Sequence, residues 1–170
     1  DVLLRRPPRQ LVGGLTKSDN SVADITASLL NSDQSYIAVQ GPPGTGKTYV
    51  GAHVIANLVK QGWKIGVIAQ SHAVVEHLMN SVSEVDPNIP MAKKGQSEKS
   101  RPKYHVDDVG AWAAGMIQHG YVIGGTVWSF SRAEIRFLGL DLIVIDEAGQ
   151  FSLANSCLLY TSDAADEEDR

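Results

Sequence analysis

Cysteine is nearly absent. One residue of 170, Cys157, carries a thiol, which excludes a disulfide framework and a cysteine metal site. No apolar run reaches the roughly 18 residues that a membrane-spanning helix needs. The first residues, Asp1-Val2-Leu3-Leu4-Arg5-Arg6-Pro7-Pro8, lack the basic start and apolar stretch of a secretory signal. No Met stands at position 1, so the chain is expected to begin inside a longer reading frame. Hydrophobic residues make up 43% and charged residues 20%, a balance that excludes a disordered chain and suits a soluble globular domain. The length allows one domain and hardly two. A cytoplasmic protein that does not engage membranes is expected.

Apolar periodicity alternates along the chain. Residues 1–15 are basic and rich in Pro and Gly, and read as an arm or linker. Asp19, Asn20 and Ser21 offer N-caps for a helix through Ile25, Leu29 and Leu30. Residues 36–40 read as a buried strand, 47–61 as a helix stopped by Gly62, and 64–69 as a second strand. Val74, Val75, Leu78 and Val82 mark another helix. Residues 83–108, with three prolines and a Lys/Ser-rich centre, read as a long surface excursion. A short helix is expected over 112–118, and residues 121–123 and 142–145 read as central strands. Strand-helix alternation of this kind predicts an α/β fold with a parallel sheet and right-handed crossovers.

Between the first strand and its helix stands Gly41-Pro42-Pro43-Gly44-Thr45-Gly46-Lys47-Thr48. This satisfies G-x-x-x-x-G-K-[ST] in the strand–loop–helix setting that the mechanism requires. The glycines let backbone N–H groups turn inward around a phosphate, and the helix N-terminus adds a favourable dipole. Lys47 would reach the outer phosphates and Thr48 would place its hydroxyl on Mg²⁺. About 100 residues later an apolar strand ends in Asp146-Glu147. Ligands of open parallel sheets sit beyond the carboxyl ends of the strands. Asp146 is therefore assigned to the metal and Glu147 to the attacking water, as base or orienter. Taken alone, an Asp-Glu pair after a strand also reads as a solvated turn.

Four segments carry a resemblance to superfamily 1B helicases, the branch with RecD-like and Upf-type enzymes. They are Gln40 to Thr48 (motif I), Val67-Ile-Ala-Gln-Ser-His-Ala-Val-Val-Glu-His-Leu78 (similar to motif Ia), Gly125-Thr-Val-Trp-Ser129 (similar to the short Gly-Thr motif), and Ile145-Asp-Glu-Ala-Gly-Gln150 (motif II). The subgroup it resembles most is bacterial, with a RecB-like nuclease ahead of the helicase and a basic segment like Arg5 to Arg9 upstream. The resemblance implies a three-layer P-loop NTPase fold of RecA-like type over residues 16–156, incomplete at its end. It implies ATP and Mg²⁺ as ligands and single-stranded nucleic acid, DNA ahead of RNA, as partner. By the same likeness Gln150 would sense the γ-phosphate, and Ser71, His72 and Thr126 would lie near the nucleic acid. Each has a plainer reading: Ser71 as a helix cap, His72 as a packed or solvated histidine, Thr126 and Gln150 as local hydrogen-bonders.

The family pattern is not complete. Gln10 and Gln34 are weak stand-ins for an adenine-reading glutamine, and motif III and the second RecA-like domain with its arginine are missing; Arg132 and Arg136 match no family arginine. Lys93, Lys94, Lys99, Arg101 and Lys103 read as a solvated loop before they read as a phosphate-binding patch, and Arg5, Arg6 and Arg9 likewise. Trp112 and Trp128 read as core aromatics. Residues 157–170 resemble one translated frame of a transposase-type sequencing adapter, and are expected to be non-native. Without them the net charge rises from −4 to zero, so acidity names no partner. The main expectation is the first motor domain of an ATP-dependent helicase. The alternatives are another P-loop enzyme, AAA-type or kinase-like, and a non-catalytic nucleotide-binding module.

Overall fold

Capping side chains fix where most of the helices start. In the computed structural model, which describes residues 6–94, 104–116, 118–131, 135 and 138–151, Asn20 accepts a hydrogen bond from the Ala23 amide at the head of α1 (Ser21–Leu30). α2 (Lys47–Lys60) begins at Gly46 with no capping side chain. Ser71 accepts from Val74 to open α3 (His72–Val85), and Asp108 from Ala111 to open α4 (Val109–Gly115). α5 (Val127–Phe130) is a single turn. Each cap satisfies an amide that the helix cannot satisfy itself, a contribution of about 1 kcal/mol.

Four parallel strands, β1 (Lys64–Ala69), β2 (Met91–Lys93), β3 (Tyr121–Thr126) and β4 (Leu142–Ile145), form a sheet in the order β2-β3-β1-β4. Ala69 lies opposite Thr126, and Ile68 opposite Ile145. Alternate residues feed two cores. Ile65, Val67 and Ala69 of β1 and Val122 of β3 join α2 and α3 on one face. Ile68, Tyr121 and Ile123 join Val109, Val127 and Phe130 on the other. The result is three layers, helix on sheet on helix. Each such aliphatic side chain removed from water contributes roughly 1.5–3 kcal/mol. Among the described residues no helix is long and apolar enough to cross a membrane.

Four sequence expectations change. Residues 36–40 form no strand and join no ladder among the described residues, and Val39 is 51% exposed. An apolar segment is a strand only when a neighbour takes its N–H and C=O groups, and among the described residues β4, at the sheet edge, pairs with β1 alone. For the same reason residues 142–145 form an edge strand rather than a central one, with Ile143 40% exposed. Residues 83–108 are not a surface excursion throughout: they hold β2 and the buried Ile89, Ala92, Lys93 and Tyr104. The described part of the expected arm is tied down. Leu11 donates to the Asn31 carbonyl, Asp33 to that of Arg9, and the Arg9 guanidinium to that of Gln34. Arg5, Lys99, Arg101, Lys103, Arg132, Arg136 and residues 157–170 lie outside the described residues.

α3 lies close on β3 because position 124 is glycine. A Cβ there would stand 2.3 Å from the Met79 sulfur and 2.7 Å from Cγ1 of Val75. The Met79 side chain can turn away, but β-branched Val75 has one comfortable rotamer on a helix. Gly124→Ala is therefore expected to cost about 1–3 kcal/mol by overpacking. Denaturant unfolding checks this, and an unchanged midpoint at unchanged slope would sink it.

Candidate functional site

The phosphate-loop residues fold into a tight turn ahead of α2. Gly44 and Gly46 take φ of 79° and 77°, a left-handed backbone that side-chain-bearing residues adopt at a cost. Thr45 Oγ1 donates to the Pro42 carbonyl at 2.8 Å, and the Lys47 ammonium donates to the carbonyls of Gly41 and Pro42 at 2.8 and 2.9 Å. The lysine thus folds back over the loop. Thr48 sits half-buried in the first turn of α2. That turn carries no capping side chain and no acidic residue, so its free amides and the helix dipole favour an anion.

The acidic pair follows β4 directly. The Asp146 amide donates to the Ile68 carbonyl at 2.9 Å and continues the β4–β1 ladder by one step. Its carboxylate accepts the Glu147 amide at 2.9 Å. Glu147 takes φ 53° and ψ 39°, a strained conformation for a residue with a Cβ. The chain then turns through a 3-10 helix, Ala148–Gln150, closed by Gln150 N–H to the Glu147 carbonyl. Asp146 is half-buried, while Glu147 and Gln150 are exposed.

Three other sequence candidates gather at the carboxyl ends of β1 and β3. Ser71 and His72 follow β1, and Thr126 ends β3 beside Ala69. Ser71 does serve as the cap of α3. The Thr126 hydroxyl lies 3.4 Å from that of Ser129. His72 is half-buried, and burial, then the Lys93 ammonium, hold its imidazole below the ordinary value against the pull of Glu76. Lys93 is not a solvated loop lysine. It is 3% exposed and its Nζ stands 2.7 Å from a Glu76 carboxylate oxygen. Trp128 departs from its expectation in the other direction: it is 72% exposed, two residues beyond Thr126. Trp112 does pack into the second core, edge-on to Tyr121 at 5.6 Å. The Gln10 carboxamide oxygen accepts from Asn31, a bond that ties the N-terminal segment to the end of α1.

Sequence reasoning missed Gln70. Its side-chain amide donates to the Gln150 carbonyl and joins the end of β1 to the turn after the acidic pair. Eighty residues separate the two, so no local pattern announces the contact.

The sequence profile of the AAA domain family matches residues 21–167. The chain belongs to this family. The AAA domain thus has an α/β, P-loop NTPase-like fold with a parallel central sheet. Over 78 residues the chain is 37% identical to the Regulator of nonsense transcripts 1 homolog of Arabidopsis thaliana, an alignment covering 45% of this chain and 6% of that protein. The chain thus spans only a small part of the length of that relative. The donor types present fit the expected ligand: the uncapped amides at the start of α2, the Lys47 ammonium and the Thr48 hydroxyl suit a polyphosphate with a divalent ion, and a carboxylate such as that of Asp146 is a donor such an ion takes.

The strained Glu147 backbone yields a stability test. Glu147→Gly removes the Cβ that makes φ 53° costly, and is expected to stabilise the domain by about 1 kcal/mol in thermal or denaturant unfolding. A clear loss of stability would mean that the Glu147 side chain holds the fold rather than serving the site.

Proposed function

We propose that this AAA domain binds and hydrolyses ATP with Mg²⁺ as the first motor domain of a superfamily 1B helicase acting on single-stranded nucleic acid, with DNA as the preferred polymer. The observation that carries the reading is the uncapped, acid-free start of α2 beneath a phosphate loop with two left-handed glycines. Gly41, Pro42, Pro43, Gly44, Thr45 and Gly46 would wrap the phosphates with their backbone, Pro42 and Pro43 lending stiffness rather than amides. Lys47 would give up its loop carbonyls for the β- and γ-phosphates. Thr48 and Asp146 would hold the metal, and Glu147 would take or orient the proton of the attacking water. Magnesium, when bound, supplies charge neutralisation between the phosphate oxygens. Gln150 would report the γ-phosphate, and its carbonyl contact with Gln70 leads to the Ser71 and His72 end of β1.

The parent protein would add a second RecA-like domain bearing the arginine, and an upstream RecB-like nuclease. The 6% coverage of the plant relative fits a part of something larger. Residues 1–15 would be its linker, 16–156 the motor domain and 157–170 a non-native tail. Alone, this domain would turn over slowly and unwind nothing, because an arginine supplied in trans is worth about 10³–10⁵ in rate. The nucleic acid would cross the carboxyl ends of β1 and β3, touching Ser71, His72 and Thr126 and stacking a base on the exposed Trp128. A second reading, favoured by the family's description, is an AAA-type ATPase that does not move along nucleic acid.

Three substitutions test these readings, and oligonucleotide binding separates them. Lys47→Ala is expected to abolish calorimetric binding of Mg-ATP; equal binding would remove the phosphate-loop assignment. Glu147→Gln should keep that binding while losing phosphate release. Trp128→Ala should weaken binding of oligothymidylate roughly 5- to 100-fold, in line with about 1–3 kcal/mol per stacked base. An unchanged affinity would take Trp128 out of the interface, and no oligonucleotide binding by the unsubstituted domain would favour the AAA-type reading.

A further inference from the structure

The buried Lys93 faces two groups of α3 at once. Its Nζ lies 2.7 Å from the Glu76 carboxylate and 3.3 Å from Nδ1 of His72. His72 and Glu76 are four residues apart, on one face of the helix. Lys93 closes β2, which pairs with β3, so its side chain reaches α3 across the end of the sheet. Among the described residues, Lys93 from β2 and Glu76 from α3 are the charged groups that act on His72.

The chemistry of this contact is asymmetric. An ammonium has only protons to give and no lone pair to accept one. Its ion-pair partner, the Glu76 carboxylate, lies 2.7 Å away. The shared hydrogen bond therefore runs from Lys93 to His72, and Nδ1 must be the unprotonated nitrogen. The remaining ring proton then sits on Nε2, and a second proton would have to enter against the ammonium.

We infer that Lys93 is a positioning residue that holds His72 as a neutral imidazole with its proton on Nε2, so that the first residue of α3 meets the nucleic acid as an uncharged hydrogen-bond donor and not as a cation. The inference rests on the nucleic-acid reading above for the partner, and on the structure alone for the tautomer. A neutral donor suits an oxygen of the base or sugar, where direction decides the contact. A cation would be drawn to any phosphate. Burial and the ammonium both hold the imidazole below its ordinary value, so this state persists as pH falls through the range where a free histidine charges. The stability tied to the neutral ring is then full above the ordinary histidine value and is lost as pH drops through the lowered one.

Long-range ¹H–¹⁵N correlation of the labelled domain reads the tautomer without any nucleic acid. The expected spectrum has the proton of His72 on Nε2 and a titration midpoint below that of a free histidine. Lys93→Met removes the donor, but it also strips an ammonium from the half-buried Glu76 carboxylate and can unfold the domain. Glu76→Gln with Lys93→Met removes both charges of the pair and serves as the second variant. In both, the midpoint should rise, because the lysine lowers it more than the glutamate raises it, and the tautomers should mix. Oligothymidylate affinity should lack a His72 step between about pH 6 and 8 in the unsubstituted domain. The double variant should gain several-fold toward the acidic end. A proton on Nδ1 of the unsubstituted domain, or a His72 unchanged by either variant, overturns the inference at Lys93. A correct tautomer whose signals ignore oligothymidylate instead overturns the nucleic-acid role of α3.

Discussion

Every crossover in a parallel sheet must leave from the same edge, and that constraint organises this molecule. A strand that runs parallel to its neighbour returns only through a helix on one face, and the return is right-handed. The turns after β1, β3 and β4 therefore open side by side, and their register is fixed by pairs such as Ala69 with Thr126 and Ile68 with Ile145. Gln70 and Ser71, Val127 and Trp128, and Asp146 and Glu147 follow those paired residues at once. Chemistry collects there because backbone groups beyond the last ladder bond have no partner in the sheet. The two-sided core holds the edge in place: Val67 and Ile68 are adjacent in sequence yet belong to different cores, so β1 cannot tilt without disturbing both.

On the proposed function this edge would meet two kinds of ligand, and the described bonds between the two regions are specific. Asp146 extends the ladder onto Ile68, and the Gln70 amide reaches the Gln150 carbonyl. A change of backbone at the strained Glu147 would pass through Gln150 to Gln70, the residue before the Ser71 cap. Both ends of that path are short turns, the 3-10 helix Ala148–Gln150 and the link from β1 to α3. β4 suits such a role, being the sheet edge and far less buried than β1 or β3.

What could be read from the sequence follows from how local each signal is. β1 and β3 are buried on both faces and read as unbroken apolar runs, so residues 64–69 were expected as a strand and are one. Helix starts follow from single capping residues, and Asn20 and Ser71 stand where capping chemistry puts them. The phosphate loop is eight consecutive residues and needs no tertiary knowledge. Residues 36–40 show the limit of pattern: an apolar run specifies a strand only with a neighbour to pair with. β2 hid for the opposite reason. Its lysine argues for solvent until Glu76 and His72, contributed by a different element, are placed against it. Trp128 shows the same limit, since an aromatic side chain carries no mark of which way its short helix will face.

Lys93 also makes a physical point about buried charge. Taking an ammonium and a carboxylate out of water costs several kcal/mol each before their attraction is counted, so an apolar pair at positions 76 and 93 would often be as stable or more so. Stability alone gives weak reason for a 3% exposed lysine on an edge strand. The third member of the cluster supplies a better one. A Met at 93 would fill the space, but it has no proton to direct at Nδ1, and His72 would then be free to choose its tautomer and its charge. On this inference the ion pair is the clamp on the ring of His72, the first residue of α3, where β1 has just ended.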